Sequence, residues 1–194
     1  MVGVTEAAPP RALSFELNQD MLDRLREEFD PAPVAQRLAD ALAGKGPEQA
    51  SAAAQEMFEA YGRAWMGRTL QLGEEYPDRT YEVLKEAADR TGELTFPHVL
   101  QRFVEIAYLS TQRFLRLPVI QNHPRRLVYR VPQCRMFQMV QEKCGAEIAS
   151  DLHCRHACLT AARTACEHLR TDAAVAMEAT TPKQGYCQFA LERR

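Results

Sequence analysis

No cysteine occurs before Cys134, and the chain of 194 residues carries a single tryptophan, Trp65. A first two-thirds without thiols excludes both a disulfide framework and a cysteine metal knuckle from that part. Neither sign of charge is in excess. Lys+Arg 24 against Asp+Glu 26 leaves a formal net charge of −2, so no overall basic bias points to nucleic acid or an anionic membrane as partner. Apolar runs are broken by charges well short of the ~20 residues that span a bilayer. The start, MVGVTEAAPPRALSFE, lacks a basic segment followed by an apolar stretch, so no signal peptide is expected. There is no Gly-rich phosphate loop, no G-x-S-x-G elbow and no His-Glu-x-x-His. A cytoplasmic protein with reduced thiols is the expectation.

What is present is ordinary globular composition, 46% hydrophobic and 26% charged. At ~100–200 residues per domain this makes one domain, large enough to fold without a metal or a disulfide. Residues 1–14, small and with Pro9-Pro10, read as a disordered tail. Asn18 caps a helix through Met21, Leu22, Leu25 and Phe29, which Asp30-Pro31 and Pro33 stop. Further helices are predicted over Val34 to Ala43, Pro47 to Gly73 (stripe Met57, Phe58, Tyr61, Trp65, Met66, Leu70), Asp78 to Ala88, and from Pro97 to Leu115.

The pattern changes near Pro118. Arg126-Leu127-Val128-Tyr129-Arg130-Val131 alternates with period two and predicts a strand. Helices follow from Gln133 to Cys144, closed by Gly145, and from Ser150 or Asp151 to Leu169. Ala173 to Thr180 and Tyr186 to Leu191 predict two strands, antiparallel across the turn Thr181–Gly185. The expected fold is α+β in a single domain over 15–194. Its helical part (15–117) packs with a small antiparallel sheet and two helices in a cysteine-bearing strand-helix-helix-strand-strand segment (118–194).

All six cysteines lie in that segment. Cys134 follows Pro132 in the first turn of its helix, where free N–H groups and the helix dipole favour a thiolate, with Arg130 and Arg135 nearby in sequence. Cys154 and Cys158 are four apart and face one way at the edge of the helix's apolar stripe. Cys166 is centred on that stripe, a core position. His153 and His156 fall on a different, solvated face. Cys154 and Cys158 could supply two thiolates to zinc, completed by Cys134 or Cys187, but no Cys-x2-Cys knuckle is present.

The order of these residues carries a resemblance. Val131-Pro132-Gln133-Cys134 is followed by Cys144-Gly145, then Asp151-Leu152-His153-Cys154, then Gly185-Tyr186-Cys187-Gln188-Phe189, with Tyr61-Gly62-Arg63-Ala64-Trp65 upstream. This resembles the L-2-amino-thiazoline-4-carboxylic acid hydrolase family. The small-molecule-binding V4R domain is the nearest competing likeness. The first implies ring-opening hydrolysis of a small cyclic C=N carboxylate in sulfur metabolism, without a cofactor. It makes Cys134 the nucleophile, lines the same pocket with Cys154 and Cys187, and gives the substrate carboxylate to Arg130 or Arg135. His156 would move a proton if it turned inward. The alternative is a non-enzymatic module that binds a small ligand, or zinc, through the C-terminal thiols. Neither reading calls for nucleic acid or membrane, and a homodimer stays open.

Overall fold

Asn18 opens the helical part: its side chain accepts the Met21 N–H at 3.0 Å and starts α1 (Gln19–Glu28). The computed structural model describes residues 13–194, so most of the tail expected over 1–14 lies outside the described residues. Its last residue is held, since the Ser14 carbonyl accepts the Arg79 N–H at 2.7 Å. Asp30 caps α2 (Pro31–Leu42) through the Ala32 N–H. The start at Val34 is thus corrected. Pro31 and Pro33 sit in the first turn, where no intrahelical N–H bond is needed.

α3 (Pro47–Glu75) and α4 (Arg79–Thr91) follow; Asp78 caps α4 by accepting the Tyr81 N–H at 2.8 Å, and Gly92 ends it at φ 71°. Asp78 also pairs with Arg102, and both side chains are buried, at 4% and 7% exposure. Arg102 belongs to α5 (Leu100–Thr111), which a π turn over Thr95–Val99 precedes.

The second part is built on a four-stranded antiparallel sheet: β1 (Val119–His123), β2 (Arg126–Pro132), β3 (Ala173–Ala179) and β4 (Tyr186–Arg193), in the order β1-β2-β4-β3. β2, β3 and β4 lie close to the three segments predicted as strands. β1 is an addition to the expected three: an edge strand with mostly exposed side chains leaves no apolar period to read. Between β2 and β3 come α6 (Arg135–Cys144), α7 (Ala146–Ser150) and α8 (Arg155–His168). The single helix expected from Ser150 or Asp151 is broken, because Leu152 takes a left-handed φ of 55°. Cys154 therefore precedes α8 as its N-cap. One helical turn, α9 (Thr181–Gln184), with Gly185 at φ 79°, joins β3 to β4.

Leu127, Tyr129 and Val131 of β2 and Cys187, Phe189 and Leu191 of β4 are buried on one sheet face, in one core with α5 and α8. α8 lies tightly along α3, and its buried surface is made mostly of small residues, Ala157, Ala161, Ala162 and Ala165, with Thr160 and Cys166. Gly62 of α3 permits this approach, since a Cβ there would overlap the Ala157 carbonyl. Among the described residues, no helix is long and apolar enough to cross a membrane.

Candidate functional site

The antiparallel register sets Val131 opposite Cys187, and Cys134 follows at the end of β2 as N-cap of α6. Cys154 and Cys158 come from the start of α8. The four sulfurs are near enough to act on one another's titration: neighbouring sulfurs are among the causes that raise Cys134, Cys154 and Cys158. Thr181 Oγ1 sits 3.1 Å from the Cys187 sulfur. Cys144 stands apart, its sulfur 3.8 Å from the Ala35 carbonyl, and Cys166 lies further along α8.

Proximity does not make thiolates here. Burial pushes the Cys134 thiol up to about 11, although N–H groups of Phe137 and Met136 pull it down. The helix N-terminus acts in the expected direction and desolvation outweighs it. Burial, then neighbouring sulfurs, raise Cys154 and Cys158 further. The zinc alternative at Cys154 and Cys158 finds no ligand set: among the described residues, no group of three or more His, Cys, Asp or Glu side chains is arranged to hold a metal ion.

The cations expected around the thiols are committed elsewhere. Arg130 follows the inward Tyr129, so strand alternation turns it to the opposite sheet face. There its Nε donates to Gln188 Oε1 at 2.7 Å and its guanidinium lies 4.5 Å from the Tyr186 ring centre. Arg135 pairs with Asp30 at 3.2 Å. His156 is part-buried 4.0 Å from Glu59 on α3, and burial, then Arg155, lowers its pKa.

Beside the thiols runs a series of aromatic rings that sequence reading took only as core. Centroid distances are 5.7 Å from Phe29 to Tyr61, 6.1 Å to Trp65, 5.2 Å to Tyr108, 5.6 Å to Tyr129 and 5.4 Å to Phe189. Tyr61 and Trp65 share a helix face at spacing four, which was the legible part of the signal. Tyr108 and Tyr129 come from other elements. Two polar atoms in this series are buried without a hydrogen-bond partner among the described residues: Trp65 Nε1 and Tyr108 Oη. The Tyr108 hydroxyl neighbours Cys158 and Tyr129 without meeting hydrogen-bond geometry to either.

Tyr61 of this series also lines a groove of about 520 Å³ between the α1–α2 junction and α3. Phe29, Pro33, Met57 and Tyr61 line it, with Asp30 and Arg37 among its charged groups. Tyr61 is its link to the sulfurs: burial, then Cys158 and Cys134, raise the pKa of its hydroxyl.

No family model matches the chain, and no curated protein is matched. A solved structure is similar: a mutant H-NOX protein from K. algicida in its Fe(II) unliganded form, 13% identical, covering 91% of this chain and 94% of that one with a TM-score of 0.40. A similarity of that size assigns neither family nor ligand. The resemblance to the L-2-amino-thiazoline-4-carboxylic acid hydrolase family is corrected by these findings. None of the comparisons leads to that family, and a loose order of cysteines and glycines is not specific to it.

Proposed function

We propose that this chain is a non-enzymatic binding module that takes a small acceptor-bearing molecule into its interior, between Trp65 of α3, Tyr108 of α5 and Cys158 of α8. The observation that carries this reading is the pair of unpartnered buried donors. Trp65 and Tyr108 are 3% and 2% exposed; Nε1–H has no hydrogen-bond partner among the described residues, and Oη–H has beside it only the Cys158 sulfur and the Tyr129 hydroxyl, with a well-formed hydrogen bond to neither. A buried donor left unmade costs about 1–3 kcal/mol, and a carbonyl or carboxyl oxygen on a ligand would recover that cost. The sulfurs support binding over nucleophilic attack. With burial holding the Cys134 thiol up near 11, it is protonated at neutral pH.

The test uses Tyr108→Phe. If the hydroxyl serves a ligand, the ligand-free variant is as stable as wild type or more so, because an unmet donor has been removed. Native mass spectrometry of the freshly purified full chain should then show a noncovalent adduct on wild type and roughly tenfold lower occupancy on Tyr108→Phe. A wild type without any adduct, or an adduct retained equally by the variant, overturns the reading.

A further inference from the structure

We infer that one end of the sheet holds a binding site for a diphosphate group, between Arg125 of the β1–β2 turn and Arg193 of β4. The register opposes these two arginines. Arg126 pairs with Glu192, and one step outward the Arg193 N–H donates to the Arg125 carbonyl at 3.0 Å. Like charges set directly across two strands repel and cost stability. One step inward the same strands avoid that cost, since Arg126 meets Glu192 at 2.6 Å and also Glu178. Arg125 and Arg193 have no such relief. Among the described residues no carboxylate, the main-chain one of Arg194 included, lies within ion-pair distance of either guanidinium.

The opposed pair faces a hollow. Pro124, Arg125, Arg193 and Arg194 line a space of about 460 Å³, the size of a small-molecule site, and no acidic side chain lines it. Arg194 is the third cation. Its ion pair with Asp172 is long, 3.8 Å, and its two side chains are 70% and 74% exposed, so little holds it from a ligand. A neighbouring hollow shares Arg193 and Arg194 but includes Glu93 and Asp172, which puts the ligand on the Arg125 side. A guanidinium donates two parallel N–H bonds to a phosphate, and two linked phosphates offer such a face to each of the opposed arginines. Pro124 is the one apolar lining residue, so the diphosphate itself is what the site recognises, free or esterified. Arg193 lies six residues beyond Cys187 on β4, roughly 20 Å at about 3.4 Å per residue, so this site is separate from the thiols.

Thermal midpoints of the full chain in low-salt buffer test this. Pyrophosphate at about 5 mM should raise the midpoint by roughly 2–4 °C, and sodium chloride of equal ionic strength should raise it by less than half as much. A chloride shift as large as the pyrophosphate shift would mean general screening and overturns the site. Arg125→Gln removes one of the opposed charges. Without pyrophosphate its midpoint should equal or exceed that of wild type, and its pyrophosphate shift should fall to the chloride value; Arg193→Gln should behave alike. Arg113→Gln, at an exposed arginine between α5 and β1, should keep the full shift. A full shift in Arg125→Gln, or an equal loss in Arg113→Gln, overturns the assignment. ADP in place of pyrophosphate then separates the two sources: a larger shift supports an esterified diphosphate as ligand, a smaller one the free anion.

Discussion

Gly62 of α3 and Ala157 of α8 are in backbone contact: a Cβ added to Gly62 would overlap the Ala157 carbonyl oxygen and come within 2.9 Å of its carbonyl carbon and Cα. Because the obstacle is backbone, no side-chain rotation relieves it. The helix that carries Trp65 and Tyr61 and the helix that carries Cys158 hold their spacing through this contact.

Gly62→Ala should therefore destabilise the fold by about 1–3 kcal/mol or more. Gly67, five residues on in the same helix, is exposed with nothing near its missing Cβ. There Gly67→Ala should stabilise by about 0.5–1 kcal/mol through helix propensity. Urea unfolding of the two variants checks the contrast, and equal shifts would mean the helices are not in contact at Gly62.

Asp78 and Arg102 form a buried ion pair, and Asp78 also caps α4. Asp78→Ala leaves a guanidinium buried without its carboxylate, and should cost about 3–5 kcal/mol. Asp78→Asn keeps a capping oxygen while removing the charge, so it separates the two roles. Combining it with Arg102→Met should restore part of the loss. An Asp78→Ala midpoint in urea within experimental error of wild type would refute the pairing.

The buried thiols tie stability to alkaline pH. Burial raises Cys134 from its ordinary 9.0 to about 11 in the folded chain, and Cys166 likewise. Between those values the folded chain keeps protons that the unfolded chain has released. Their contribution is fully present below about pH 9 and is lost as pH rises through 11. Thermal midpoints should fall over this window, and less steeply in Cys134→Ala than in wild type. Parallel curves would show that Cys134 is not protected in the fold.

Much of the architecture was legible because its causes are local. Asn18, Asp78 and Gly92 each act within a turn of their own residue, and β2 announces itself by alternation along a single strand. The α+β class, the antiparallel pairing of the last two strands and the crowding of thiols into the second part follow from such signals. Proximity alone misled at two points. Arg130 is near Cys134 in sequence, yet the strand's period of two sends it to the other face of the sheet. Leu152 breaks the expected helix through a backbone angle that its side chain does not advertise.

Local signals are enough to say which elements form and where most of them start and stop, since capping, proline geometry and hydrophobic period are written in neighbouring residues. It took the folded chain to bring Cys134, Cys154, Cys158 and Cys187 near enough to act on one another's titration and to set Phe29 to Phe189 in a continuous aromatic series. The same holds for Gln112, whose side chain accepts the first N–H of α6 at 2.7 Å from 23 residues away. The folded chain also decided the chemistry of the thiols. A helix N-terminus favours the anion, but desolvation depends on how much protein closes over the sulfur, and no stretch of neighbouring residues encodes that depth.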